Sequence, residues 1–176
     1  MLAQANRILA NRLESGLICA AVVQIDLLER EACYSSAGHN GFHFRRGKSI
    51  VELPSESLPL GINPNESFEL NELGMIDFDE IIALFSDGIF ETMCGSGQLL
   101  GTPTVVAQIE RSRDLRAIEI AHIIEGIRSV HQGNGPLQDD VSLLVMKISE
   151  APRHRLAPTP RGTLGASSQE LAVTTN

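Results

Sequence analysis

The sequence predicts an α+β fold, in which the strands are grouped together instead of alternating with helices. Several predicted strands follow one another in the first half of the chain, and two predicted helices separate them from one last strand. A parallel α/β sheet would need a helix after nearly every strand. The chain has 176 residues, of which 43% are hydrophobic, and this is enough for one domain with a buried core.

The first half of the chain is predicted to contain one helix and six strands. Leu2, Ile8, Leu9 and Leu13 fall at helical spacing, and Gly16 marks the end of that helix. Apolar runs bounded by charged or glycine-containing turns then predict strands. These strands lie at residues 18–25, 32–36, 42–46, 50–53 and 67–70, and the most apolar of them lies at 80–86. We expect this last strand to be central in its sheet because it is apolar on both faces.

The second half is predicted to be a helical pair followed by a strand. Thr102 is suited to an N-cap and Pro103 to the first helical position, so a helix is predicted from there to about Ser112. A second helix is predicted over residues 115–131, and the Gly- and Pro-containing segment 133–136 ends it. The final strand is predicted at 141–148.

Composition divides the chain into a domain at residues 1–149 and a tail at 150–176. The tail contains three prolines together with scattered Arg, Ser, Thr and Gly, and it shows no hydrophobic periodicity. Such a composition predicts disorder, because too few apolar side chains are present to offset the loss of chain entropy.

Charge and residue usage exclude several classes of function. The net charge of −8 disfavours binding to nucleic acid or to an anionic membrane, and the absence of Trp disfavours a base-stacking surface. Cys19, Cys33 and Cys94 show no CxxC spacing, and we expect Cys19 and Cys33 to be buried free thiols. The sequence shows no signal peptide, which together with free thiols predicts a cytoplasmic protein.

Two aspartate-containing turns adjoin the most apolar strands. Asp87-Gly88 follows the strand at 80–86, and Asp139-Asp140 precedes the strand at 141–148. A carboxylate at the end of a buried strand is held at a fixed point while it stays open to solvent. Two of them brought together make an oxygen site suited to Mg2+ or Mn2+. The structural alternative is that Asp-Gly forms an ordinary turn and Asp-Asp caps a strand.

Four short motifs occur in order along the chain. They are Ser36-Ala37-Gly38-His39-Asn40, Leu58-Pro59-Leu60-Gly61, Phe85-Ser86-Asp87-Gly88-Ile89-Phe90-Glu91 and Gln138-Asp139-Asp140-Val141-Ser142-Leu143. In this order and spacing they resemble the metal-dependent protein phosphatases (the PPM, or protein phosphatase 2C, superfamily), and in particular the bacterial SpoIIE-like and RsbU-like branch. Each motif alone is weak, but four in order are specific.

This resemblance implies a four-layer αββα sandwich with a centre of two Mn2+ or Mg2+ ions at one edge. Asp87 and Asp139 match metal ligands of the family, and Gly88 allows the chain to turn sharply beside the metal. Asp140 takes a neighbouring position that suits a supporting role, although a solvated carboxylate at a strand start is an equal alternative. His39 lies in a loop that looks structural in the family. The implied nucleophile is metal-activated water, so no catalytic side chain is assigned.

The sequence departs from the family in one respect. The resemblance implies an N-terminal Gly-Asp-x-x-Gly-His-Gly motif, but residues 1–35 contain only one aspartate, Asp26, at a predicted hairpin turn. Two carboxylates cannot complete a two-metal centre, because each hard cation takes about six oxygen ligands. We therefore expect an N-terminally truncated domain, either a fragment of a longer phosphatase or a degenerate copy. We expect weak or absent activity, and self-association through an exposed sheet edge.

Two functions follow from these observations. The first is a protein serine/threonine phosphatase acting in signal transduction on a phosphorylated regulatory protein, for which the resemblance suggests the anti-sigma-factor-antagonist type. The second is a catalytically inactive protein-binding module. The missing motif favours the module, whereas the intact motifs around Asp87 and Asp139 favour the phosphatase. A hydrolase of small phosphoesters is less supported, since nothing in the sequence defines a small-molecule pocket.

Overall fold

The computed structural model describes residues 1–13, 16–47, 49–149 and 168–175. The helices are α1 (Leu2–Ala10), α2 (Asp87–Phe90), α3 (Thr102–Arg111) and α4 (Ala117–Gln132). The strands are β1 (Ala20–Asp26), β2 (Glu31–Ala37), β3 (Phe42–Arg46), β4 (Ser49–Glu52), β5 (Asn71–Met75), β6 (Ile81–Phe85), β7 (Ser142–Ser149) and β8 (Ser168–Thr175). None of the described helices is long and apolar enough to cross a membrane.

The strands form two antiparallel sheets of unequal width. One sheet has three strands in the order β1-β2-β5, and the other has five in the order β4-β3-β6-β7-β8. β6 lies in the middle of the larger sheet, between β3 and β7. The prediction that this apolar strand is central is therefore confirmed.

Side chains of β6 and β7 alternate between the two faces of the larger sheet, as the period of a strand requires. On one face, Ile81, Phe85 and Val145 pack with buried residues of α3 and α4. On the other face, Ile82 and Met146 pack with buried residues of the smaller sheet. Each central strand thus contributes to two cores.

A third cluster joins α1 to the outer face of the smaller sheet. Leu2 and Leu9 of α1 pack with Ala20, Val22 and Ala37. The order of layers is therefore α1, the smaller sheet, the larger sheet, and then α3 with α4. The predicted α+β fold and its four-layer αββα arrangement are confirmed.

One polar side chain of α1 is completely buried. The Asn6 amide nitrogen donates to the carbonyl of Asn63 at 2.7 Å, and its oxygen accepts from the Gly61 N–H at 2.8 Å. Both main-chain groups are thereby satisfied away from water, which a buried polar site requires. Asn6 thus attaches α1 to the loop that precedes β5.

Two local predictions are wrong. The strand predicted at 67–70 lies instead at Asn71–Met75, where the Arg46 guanidinium donates to the carbonyls of Leu73 and Met75. The N-cap of α3 is Gly101, so Thr102 is already the first helical residue. A contact from elsewhere in the fold decides the first boundary, and a glycine with positive φ decides the second. Local propensity leaves both boundaries open.

The prediction of a disordered tail at 150–176 is wrong for part of that segment. Ser168–Thr175 forms β8, which pairs with β7 along its whole length, while residues 150–167 and 176 lie outside the described residues. Without β8, β7 would be an edge strand with a row of unpaired N–H and C=O groups. Val173, Thr174 and Thr175 also have the β-branched side chains that favour strands.

Candidate metal centre

The two aspartate turns lie at the same end of one pair of strands. β6 and β7 run antiparallel, with Phe85 opposite Leu143. Asp87 comes just after β6 ends, and Asp139 comes just before β7 begins. Antiparallel pairing therefore brings together two aspartate turns whose aspartates are 52 positions apart in sequence.

Ser86 holds the two turns together through three hydrogen bonds. Its N–H donates to the Ser142 carbonyl at 2.9 Å. Its hydroxyl oxygen accepts from the Ser142 N–H at 2.9 Å and donates to the Asp140 carbonyl at 3.0 Å. The hydroxyl thus extends the pairing of β6 and β7 by one step, up to the aspartates. The sequence shows Ser86 within its motif, but the bond to Asp140 depends on strand register.

Gly88 allows the two turns to touch. A Cβ atom placed on Gly88 would overlap the carbonyl oxygen of Asp140 and lie 3.4 Å from that of Asp139. The Gly88 carbonyl accepts a hydrogen bond of 2.6 Å from the Thr92 hydroxyl, which fixes the short helix α2. The structure requires glycine here because the two backbones approach closely. The sharp turn beside a metal that was predicted for Gly88 stays a prediction.

Each aspartate is oriented by the amide that follows it. Asp87 Oδ1 accepts from the Gly88 N–H at 3.0 Å, and Asp139 Oδ1 accepts from the Asp140 N–H at 2.7 Å. Both side chains are exposed. Asp140 contacts both turns through its main chain, because its N–H donates to Asp139 and its carbonyl accepts from Ser86. Its side chain is exposed, and the supporting role assigned to it stays a prediction.

Two cavities flank these turns. The larger, about 590 Å³, is lined by Asp87 together with Cys19, His39 and Glu52. The smaller, about 160 Å³, is lined by Asp139 and the loop before it. Glu91 lines both cavities and therefore lies between them.

His39 is half-buried at the edge of the larger cavity. Its carbonyl accepts a hydrogen bond from the Ser36 hydroxyl at 3.2 Å, which fits a structural loop. Burial lowers the pKa of the imidazole, and the negative charge of Asp87 opposes this shift. Nε2 is buried, and the described residues offer it no hydrogen-bond partner. The supporting role assigned to His39 stays a prediction.

His43 was not singled out from the sequence, yet it lies directly beneath the site. Its side chain is 3% exposed and stacks on Phe85, with 4.9 Å between the ring centroids. Burial lowers the pKa of His43, while nearby Glu52 raises it. Nothing in the alternation of β3 distinguishes His43 from a surface histidine, because tertiary packing is what buries the imidazole.

The cysteine prediction is wrong for Cys19. This side chain is exposed at the start of β1 and lines the larger cavity, whereas Cys33 is half-buried. Partial desolvation and the charge of Asp87 both raise the pKa of the Cys19 thiol. Cys19 thus remains a neutral thiol beside an acidic site.

The donor set fits a hard divalent cation only in part. Carboxylate oxygens of Asp87 and Asp139 are suitable ligands for Mg2+ or Mn2+, which can keep several waters. However, within the described ranges no group of three or more His, Cys, Asp or Glu side chains could hold a metal ion. The two aspartates therefore offer carboxylate ligands to a hydrated cation but do not complete a two-metal centre.

Comparison with known proteins identifies one family. The family model for Stage II sporulation protein E (SpoIIE) matches residues 1–149. No curated protein sequence matches the chain significantly.

Solved structures share the fold at low sequence identity. The SiaA-PP2C domain of Pseudomonas aeruginosa is 17% identical with a TM-score of 0.75, over 84% of this chain and 59% of that one. The Mn-presoaked SpoIIE phosphatase domain of Bacillus subtilis is 20% identical with a TM-score of 0.61, and the match covers 91% of this chain and 70% of that one. The structure of the RsbU and RsbW domains of Rv1364c from Mycobacterium tuberculosis is 21% identical with a TM-score of 0.67. The match covers 90% of this chain and 42% of that one. The chain thus spans about three-fifths of the SiaA domain.

The contact at Gly88 predicts opposite effects for two glycine substitutions. Gly88→Ala should destabilise the fold by about 1–3 kcal/mol, because the new methyl group forces the Asp87 and Asp139 turns apart. The control is Gly126→Ala, in the interior of α4 with open space around it, which should stabilise by about 0.5–1 kcal/mol. Urea unfolding measures both. Equal effects of the two substitutions would contradict the proposed contact.

Burial of His43 predicts a loss of stability in acid. The folded-state pKa is lowered, so stability should be full above about pH 6.5 and should fall as the pH drops below that value. His43→Phe keeps the stack on Phe85 without a titrating group. Urea unfolding at pH 7.5 and pH 5 should therefore show a smaller acid-induced loss for the variant, and an equal loss would show that His43 is not the cause.

Proposed function

Because the chain belongs to the SpoIIE family of PP2C-type phosphatase domains, we propose that it acts in protein serine/threonine dephosphorylation, with Asp87 and Asp139 as ligands of a Mn2+ or Mg2+ site. The observation that carries this proposal is the contact between the two aspartate turns, which Ser86 and Gly88 maintain. A bound divalent cation supplies charge neutralisation for a phosphoryl group and lowers the pKa of water. The remaining oxygen ligands must come from water or from groups other than these two carboxylates.

The chain's own residues contribute position and charge to this function. Ser86 fixes the distance between the two turns. The exposed Asp87 lines the larger cavity, and the exposed Asp139 lines the smaller one. The larger cavity has room for a phosphorylated side chain. Its acidic lining, Glu52, Asp87 and Glu91, would repel a phosphate dianion in the absence of a cation. Phosphate binding in this cavity is therefore proposed to depend on the metal.

The proposed substrate is a phosphorylated regulatory protein in the cytoplasm. Family membership supports a protein substrate of the anti-sigma-factor-antagonist type. The net charge of −8 supports a partner other than nucleic acid or an anionic membrane.

The alternative function is a catalytically inactive protein-binding module. It is favoured by the incomplete donor set, since no metal-binding group of three was found in the described part of the chain. The two functions differ in their dependence on Asp87 and Asp139. Hydrolysis requires these carboxylates, whereas docking of a protein partner does not.

Removal of either carboxylate should abolish metal-dependent activity. We expect slow release of phosphate from a phosphoserine peptide by the wild-type chain with Mn2+, and none by Asp87→Asn or Asp139→Asn. Mn2+ affinity, read from the electron paramagnetic resonance signal of free Mn2+, should fall by more than the roughly 10- to 100-fold typical of outer-shell changes.

The matched control is Asp114→Asn, which removes the same charge from a side chain that is 88% exposed and paired with Arg113. It should leave hydrolysis and Mn2+ affinity unchanged. Phosphopeptide binding without hydrolysis, equal in wild type and both site variants, would refute the phosphatase and support the binding module.

Self-association through the open edge of β1 is a further part of the proposal. In the sheet to which β1 belongs, its described pairing is with β2 alone. Leu17, just before the strand, is 54% exposed, and the strand carries a charge only at Asp26. Edge strands that lack charge are prone to pair with other copies.

A lysine on this edge should therefore reduce association. Gln24→Lys places a charge in the middle of β1, whereas Gln108→Lys places the same charge on α3 as the control. Sedimentation velocity should show fewer dimers and larger species for Gln24→Lys only. If wild type is monomeric at high concentration, or if both variants behave alike, the β1 edge is not an interface.

A further inference from the structure

A buried arginine on α4 lies outside the site described above. The buried face of α4 continues from Ile120 through Ile124 to Arg128, which is only 3% exposed. A charged group at a core position is costly unless it is paired and fully hydrogen-bonded. Its partners therefore show what the arginine does.

Arg128 is bound by two side chains of its own helix. Its Nε and Nη2 donate to the two carboxylate oxygens of Glu125 at 2.7 and 2.6 Å. Its Nη1 donates to Gln132 Oε1 at 2.6 Å. Since arginine only donates, the Gln132 oxygen must face Arg128 and the amide nitrogen must face the opposite way.

The oriented Gln132 amide holds the turn that follows α4. Gln132 Nε2 donates to the Gly135 carbonyl at 2.8 Å, and the Gly135 N–H donates to the Gln132 carbonyl at 3.4 Å. Gly133, with φ of +62°, begins this turn. Both main-chain groups of Gly135 are thus bound to a single residue.

This turn begins the loop that carries Asp139. Three residues separate Gly135 from Asp139 along the chain, and the next residue, Asp140, is fixed by Ser86. Gln132 and Asp139 line the same 160 Å³ cavity. The loop is therefore attached at both ends, by Gln132 at one and by Ser86 at the other.

We propose that Arg128 and Gln132 are positioning residues for the Asp139 carboxylate. This proposal rests on the proposed metal site. Arg128 fixes the amide of Gln132, Gln132 fixes Gly135, and the restricted loop presents Asp139 in one place. Partners outside the ligand shell commonly change metal affinity by about 10- to 100-fold in this way.

Gln132→Glu separates positioning from charge. A glutamate still accepts from Arg128 but cannot donate to the Gly135 carbonyl. Its added negative charge near Asp139 would attract a cation, so electrostatics alone predicts tighter Mn2+ binding. Loss of positioning predicts the opposite, about 10-fold weaker binding. The control is Gln108→Glu, which adds the same charge on α3 at a residue that lines neither cavity.

The experiment measures Mn2+ affinity and amide hydrogen exchange at residues 137–140. We expect Gln132→Glu to bind Mn2+ about 10-fold more weakly and to exchange faster at these amides, while Gln108→Glu matches wild type. Unchanged or tighter Mn2+ binding by Gln132→Glu overturns the proposal. Amide hydrogen exchange at residues 137–140 that is unchanged in Gln132→Glu also overturns it.

Failure of the metal site gives a different result. If wild type shows no Mn2+ binding that depends on Asp139, the proposed function is wrong and hydrogen exchange alone decides about the loop. Faster exchange in Gln132→Glu then sustains the positioning of residues 137–140. Exchange equal to wild type overturns it.

Discussion

The pairing of β6 with β7 is the interaction on which the rest of the structure depends. The alternating side chains of these strands supply both faces of the larger sheet, so one register determines the core against the helices and the core between the sheets. The same register brings Ser86 opposite Ser142 and thereby places the two aspartate turns in contact. A slip of one residue would exchange the faces and also separate the two aspartate turns. Stability and site geometry therefore share one cause.

Most of the fold could be predicted from sequence because its signals are local. The apolar run before Asp87 and the helical spacing of residues 115–131 predict β6 and α4, and turn residues locate the hairpins. The displaced β5 depends on the guanidinium of Arg46, which reaches it from another sheet. β8 was missed because its position is set by main-chain pairing with β7, a strand at least 19 positions earlier in the sequence. Such contacts have no signature within a short window of sequence.

The candidate site was predicted only at the level of its motifs. Asp87, Gly88 and Asp139 are visible because each adjoins a strand end, and their proximity follows from antiparallel pairing. Ser86, His43 and Gln132 act through partners 56, 42 and 3 positions away, and only folding reveals which of these pairs form. Residue type alone gives equal weight to Gln108 and Gln132. The difference between them is that Gln132 accepts a hydrogen bond from the buried Arg128 and Gln108 does not.

Asn6 has a consequence for the order in which the chain folds. Its two hydrogen bonds join groups 55 and 57 positions apart, so α1 gains its buried polar contacts only after a long loop has closed. A helix of nine residues is marginal by itself in water. The nucleus is therefore expected among the local contacts of α3 and α4 with the central strands, and α1 docks late. In mutational kinetics, substitutions of Asn6 would accelerate unfolding and leave the folding rate nearly unchanged.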